Sequence, residues 1–269
     1  MSLPRQIAAA AVAALKAELA TYPKPGLVSF VDHGSHPDMD AALFLRSADA
    51  LEDYFAAAAS AGRAGCGFAE LRVLGLEAER RMFAATGGRN THKGAVFTLG
   101  LLAAAAGRGG DDLGLTVKEA WGAGILAAGE DGGDTHGQLI RRRFGLGGAR
   151  EEAAGGFRHV FEVGVPAYRS IVGQDVNAAR VQVFFALLEK VGDTTLVHRG
   201  GLEGLELARR LAGDFNRVGG VMAPGWFGRA REIHAEFVRR NLSSGGVADL
   251  LAATLFAVAK PSDGAIVGA

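Results

Sequence analysis

The sequence predicts an all-α protein: a single compact multi-helix domain of about ten helices spanning residues 1–269, with Gly-rich ligand-binding loops. Three observations predict it. Apolar residues recur at spacings of three and four along most of the chain, as in Leu43, Phe44, Ser47, Leu51, Tyr54 and Phe55. Runs with strand character are few and short. The 40 glycines cluster between the helical stretches, where they cap helices or let backbone N–H groups approach a ligand.

The elements follow in order. Ile7–Ala20 is Ala-rich, but Lys16 and Glu18 interrupt it, and it lacks a basic leader and a cleavage site. It reads as a first core helix and not as a signal peptide. Helical periodicity then covers Asp40–Ala61, Phe68–Ala85, His92–Ala106, Thr116–Ala128, Glu151–Ser170, Asn177–Lys190, Leu202–Phe215, Phe227–Arg240 and Val247–Lys260. Leu27–Val31 and Thr194–Val197 are short apolar runs that read as strand or as loop. No solenoid-length repeat or low-complexity linker divides the chain.

Composition narrows the function. Lys plus Arg and Asp plus Glu number 29 each, so the chain lacks the basic surplus of a nucleic-acid binder. Hydrophobic residues make up 49%, yet no run approaches the roughly 20 apolar residues of a membrane span. The lone Cys66 excludes an internal disulfide, and a cytoplasmic protein is expected.

Polar residues gather in five segments. In the first, Pro25 and Gly26 bend the chain beside Lys24, and Asp38 and Asp40 are candidate Mg²⁺ ligands or helix caps. His33 and His36 lie three apart, but Gly34 and Pro37 favour a loop, and no cysteine completes a zinc set. The second, Thr86–Gly94, joins two helices. Asn90 or Thr91 caps the next helix, whose N-terminus, with His92 and Lys93, suits an anion or phosphate. Its spacing is neither that of a P-loop nor that of a dinucleotide fingerprint. Asp131–Gly137 and Asp193–Gly201 combine acid, hydroxyl, imidazole and glycine, and read either as capped turns or as site loops. Asn241–Asp249 opens the last helix, with Asp249 in its first turn. Arg141–Arg143, Trp121 and Trp226 read as solvated face and packing residues.

In this order the segments resemble the triphosphoribosyl-dephospho-CoA synthase family. The likeness rests on PKPGLVSFVDHGSHPDMD (Pro23–Asp40), the AE pair Ala78–Glu79, ATGGRNTHKGAVFTLGLL (Ala84–Leu102), THG (Thr135–Gly137), GAREEAAGGF (Gly148–Phe157), DTTLVHRGG (Asp193–Gly201) and SSGGVADLLA (Ser243–Ala252). Arg89, Glu151, Ser244 and Val247 depart from the residues most frequent in such proteins.

The resemblance implies an enzyme in which the 2′-hydroxyl of 3′-dephospho-CoA attacks C1 of ATP's ribose and releases adenine. The product is the prosthetic-group precursor for the acyl carrier subunit of citrate lyase or malonate decarboxylase, and HRGGLEGL (His198–Leu205) leans towards the second. It also implies Mg²⁺ as cofactor, held by Asp38 and Asp40. Lys24, His36, Asn90, His92, Lys93, Arg199 and Asp249 are expected to bind substrate, and Glu79 or Asp193 to act as general base. A homodimer is compatible with this. Two other readings stay open: a Mg²⁺-dependent hydrolase of nucleotide glycosidic bonds, and a non-catalytic nucleotide sensor.

Overall fold

The computed structural model describes residues 1–128, 147–171 and 175–259, and every regular element among them is helical. The α-helices are α1 (Leu3–Ala20), α2 (Ala41–Ala50), α3 (Glu52–Arg63), α4 (Phe68–Thr86), α5 (Lys93–Arg108), α6 (Leu113–Ala127), α7 (Ala149–Ala154), α8 (Val165–Ile171), α9 (Val176–Lys190), α10 (Thr194–Arg217), α11 (Trp226–Arg239) and α12 (Gly245–Val258). A π-helical turn, His159–Gly164, runs into α8, and a 3-10 turn, Gly220–Met222, precedes α11. None of the described helices is long and apolar enough to cross a membrane.

The centre is built from small residues. Helices α1, α3, α5 and α12 pack on one another, and α9 joins them through α12 and carries α10. Helices α3 and α5 meet almost backbone to backbone: a Cβ on Gly62 would strike the Ala104 carbonyl, and one on Gly107 the Ala59 carbonyl. The alanines around them are fully buried. Close approach replaces bulk here, and dense packing of short side chains supplies the dispersion energy.

Aspartates start four of the helices. Asp40, Asp112, Asp175 and Asp193 each accept backbone N–H bonds from the first turn of α2, α6, α9 and α10. Three expectations change in detail. The Asp40–Ala61 stretch divides at Leu51, which is wholly buried and serves as both the end of α2 and the start of α3. The Glu151–Ser170 stretch breaks after α7, where Phe157 takes φ 56° ahead of the π-helical turn. Thr194–Val197 is the first turn of α10, because Asp193 caps it, and the helix kinks at Gly201 before continuing. Leu27–Val31 is loop. The Asp131–Gly137 and Arg141–Arg143 segments lie outside the described residues.

Candidate active site

The helix-start loops converge on a cavity of about 1450 Å³. Its lining comes from the α1–α2 loop (His36, Asp38), the α4–α5 junction (Asn90 to Ala95), the α7 and π-helical region (Glu151, Glu152, Arg158, His159), the α9–α10 junction (Lys190 to Thr195, Arg199) and the α11–α12 junction (Asn241, Ser243, Gly245, Gly246, Asp249). Single-ligand sites usually fall at ~300–1,000 Å³. This one has room for two.

The floor is a cluster of buried charge. Lys24 is 1% exposed and its ammonium is paired with Glu18, which faces the cavity from α1. Burial raises the Glu18 pKa and lowers that of Lys24, and their mutual attraction opposes both shifts. Asp193 is buried. Its Oδ1 accepts the N–H groups of Thr195 (2.7 Å) and Leu196 (3.2 Å), and its Oδ2 accepts that of Val247 (2.9 Å). One carboxylate thereby clamps the starts of α10 and α12 together. Burial still raises its pKa against those bonds.

Asp249 is different. It projects from α12 to the start of α5, where the Ala95 N–H donates to it. A Cβ on Gly94 would overlap its carboxylate, so only glycine leaves room for it. Burial, then the neighbouring Glu18 and Asp193, raise its pKa well above the usual range. It therefore tends to hold a proton while facing the cavity.

Lys93 stands at the rim, with Glu79 behind it at 3.2 Å. Glu79 does not line the cavity; it anchors the lysine. Asn90 Oδ1 accepts the Lys93 N–H (3.1 Å) and fixes the first turn of α5. His92 is buried, its Nδ1 lies 2.8 Å from Ser47 Oγ and its ring packs edge-on to Phe44. Burial, then the Lys24 charge, hold its pKa down to about 3, so it brings a hydrogen-bonding ring to the site and no positive charge.

From α10, Arg199 ties two loops together, donating to Ser35 O (2.9 Å) and His36 Nδ1 (3.1 Å) in one and to Asn241 Oδ1 (3.0 Å) in the other. Burial, then Arg199, press the His36 pKa down to about 4.

The two expected metal ligands each have another partner. Asp40 Oδ1 accepts the Leu43 N–H (2.7 Å) as the cap of α2, and Asp38 lies 3.7 Å from the Arg89 guanidinium. Among the described residues no group of three or more His, Cys, Asp or Glu side chains is arranged to hold a metal ion. Among the described residues, Asp38 and Asp40 do not form part of a ready-made Mg²⁺ ligand set.

Comparison with known proteins identifies the family. Residues 4–265 match the family described as ATP:dephospho-CoA triphosphoribosyl transferase. The chain belongs to that family. Among its relatives are proteins named "Probable 2-(5''-triphosphoribosyl)-3'-dephosphocoenzyme-A synthase". The one from Acinetobacter calcoaceticus is 39% identical, over 90% of this chain and 87% of the relative. That from Azotobacter vinelandii is 39% identical, over 95% and 91%. That from Vibrio cholerae (strain M66-2) is 35% identical, over 94% and 87%. No solved structure matches.

Within this transferase family the unusual residues have local explanations. Ser244 donates to Pro25 O (3.1 Å), tying the α12 start to the Lys24 loop. Glu151 accepts the Gly148 N–H (2.8 Å) at the start of α7. Arg89 faces Asp38, and Val247 supplies the N–H held by Asp193. Sequence reasoning gave no site role to Glu18, Ser243 or the His159–Glu152 pair (2.7 Å), all of which line the cavity. Glu18 had a visible signal, since it continues the buried Ile7, Ala11, Leu15 stripe of α1. The π-helical turn that presents His159 left none.

The two neutral histidines make a pH prediction. An unfolded histidine titrates near 6.5, whereas His92 and His36 fold with values of about 3 and 4. Unfolding therefore takes up protons as pH falls below 6.5, and their stabilising contribution, complete above 6.5, is lost on acidification. Asp249, whose folded pKa is raised, works the other way, so the difference between wild type and His92→Gln is the diagnostic. That difference is expected to grow with pH from about 4 to 6.5, at up to ~1.4 kcal/mol per pH unit, and then flatten. Denaturant titrations across this range measure it, and a flat difference excludes the buried neutral state.

Proposed function

We propose that this chain transfers the 5-triphosphoribosyl group of ATP to the 2′-hydroxyl of 3′-dephospho-CoA and releases adenine. The observation that carries the reading is the family match over residues 4–265, joined to a cavity with room for two nucleotides. Mg²⁺ enters as part of the substrate, on ATP's triphosphate. Lys93, set by Glu79 and Asn90, and the Arg199 loop junction hold that triphosphate. Lys24 and Asp193 maintain the frame behind it.

Asp249 is the acid and then the base. As the C1′–N9 bond breaks, its electron pair goes to the purine, and Asp249 gives the ring its proton. Positive character builds at C1′ beside the new carboxylate. The acceptor's 2′-oxygen then bonds to C1′ and its proton returns to Asp249, which begins the next cycle protonated. Glu79, behind Lys93, and Asp193, with both oxygens bonded, are less suited to this exchange.

Under the same reading the enzyme works in the cytoplasm, alone or as a homodimer. Its product passes to the system that loads the acyl carrier subunit of malonate decarboxylase or citrate lyase. The test is a reaction of purified protein with ATP, Mg²⁺ and 3′-dephospho-CoA, followed by chromatography and mass. Adenine formed only with dephospho-CoA, together with the triphosphoribosyl adduct, is the expected result. Adenine without an adduct favours a hydrolase, and neither product overturns the reading.

A further inference from the structure

The hydrogen-bond chain from Arg199 has a direction that its chemistry fixes. A guanidinium only donates, so His36 Nδ1, 3.1 Å from Arg199 Nη2, is the accepting nitrogen. The neutral ring then carries its proton on Nε2, which lies 2.8 Å from Ser243 Oγ and donates to it. The Ser243 hydroxyl is thus an acceptor towards His36, and its own proton must point elsewhere. Ser243 is 1% exposed and lines the cavity, and among the described residues its hydroxyl makes no other hydrogen bond.

The surroundings select the ligand. Ser243 lies just ahead of α12, a 14-residue helix whose first residues, Gly245 and Gly246, also line the cavity. The Arg199 guanidinium and a hydroxyl constrained to donate favour an acceptor-only, anionic group. Asn241, held in a left-handed conformation (φ 54°), accepts from Arg199 through its side chain and keeps the relay in place.

We propose that the Ser243 hydroxyl donates to a phosphoryl oxygen of the bound triphosphate, and that His36 and Arg199 are positioning residues that fix it as a donor. This deepens the transferase reading and rests on it.

The test uses inorganic triphosphate, ATP and adenosine as probes on the full chain, by calorimetric titration, alongside adenine release with 3′-dephospho-CoA. Ser243→Ala is expected to weaken triphosphate and ATP about tenfold or more, and to leave adenosine affinity unchanged. His36→Ala should do the same, while His36→Gln, whose amide still offers a donor to Ser243, recovers most of the loss. In the Ser243→Ala background His36→Ala should add little.

Equal affinities of wild type and Ser243→Ala for triphosphate overturn the proposal, as does an equal loss for adenosine, which marks a structural role. If Ser243→Ala does not fold, the two His36 variants decide, and a His36→Gln no better than His36→Ala overturns it. A wild-type chain that binds triphosphate but makes no adduct sinks the transferase reading and leaves the Ser243 contact standing.

Discussion

Lys24→Met is expected to lower stability by about 3–5 kcal/mol and the melting temperature by roughly 6–20 °C. The substitution strands Glu18, whose carboxylate is 8% exposed and has Lys24 as its ion-pair partner. The penalty should shrink as pH falls, because Glu18 escapes it by taking a proton. Glu18→Gln combined with Lys24→Met should recover most of the loss, since a buried pair replaced whole is often neutral. Urea titrations of the two single variants and the double variant measure this. A single variant as stable as wild type would show that the pair contributes nothing. Any fall in ATP binding should track unfolding, because Lys24 lies behind the cavity lining and not on it.

That residue also marks the limit of what the sequence reveals. Most helix positions were legible because apolar spacing is a local signal, while the breaks at Leu51 and Phe157 and the helical start at Thr194 were not. The loops that meet at the cavity were legible as polar, glycine-punctuated segments. Burial was not. Lys24 reads as a free cation beside a proline turn, and only the packing of α1 against the Pro23–Gly26 loop shows that its charge is spent on Glu18. Asp40 reads equally as ligand or cap, and the 2.7 Å bond to Leu43 N–H makes it a cap.

His92 shows the same limit from the other side. As a residue at a helix start beside Lys93 it counts as positive charge, but enclosure by Phe44, Ser47 and Met82 leaves it neutral. Charge state is a property of the surroundings, and those surroundings come from segments far apart in the chain. The carboxylates diverge for the same reason. Asp193 and Asp249 both sit at the beginning of helices and both line the cavity, yet Asp193 accepts three backbone N–H bonds and Asp249 accepts that of Ala95.

Asp249→Asn is accordingly expected to cut kcat by about 10²–10⁴-fold while ATP binding is retained. The amide keeps an oxygen for the Ala95 N–H and fits the space opposite Gly94, so the α5–α12 junction survives; what is lost is the transferable proton. The leaving group separates this role from a merely structural one. ATP methylated at N7 carries a base that departs without being protonated, so the variant's defect should narrow sharply with that donor. The remaining deficit reports the second task, taking the proton of the acceptor hydroxyl. Asp193→Asn should behave in the opposite way. Its amide would turn an N–H towards either Val247 or the α10 start, breaking the clamp and lowering the melting temperature, and the choice of leaving group should not alter its activity loss. Equal defects of Asp249→Asn with both donors would remove Asp249 from the step in which adenine leaves.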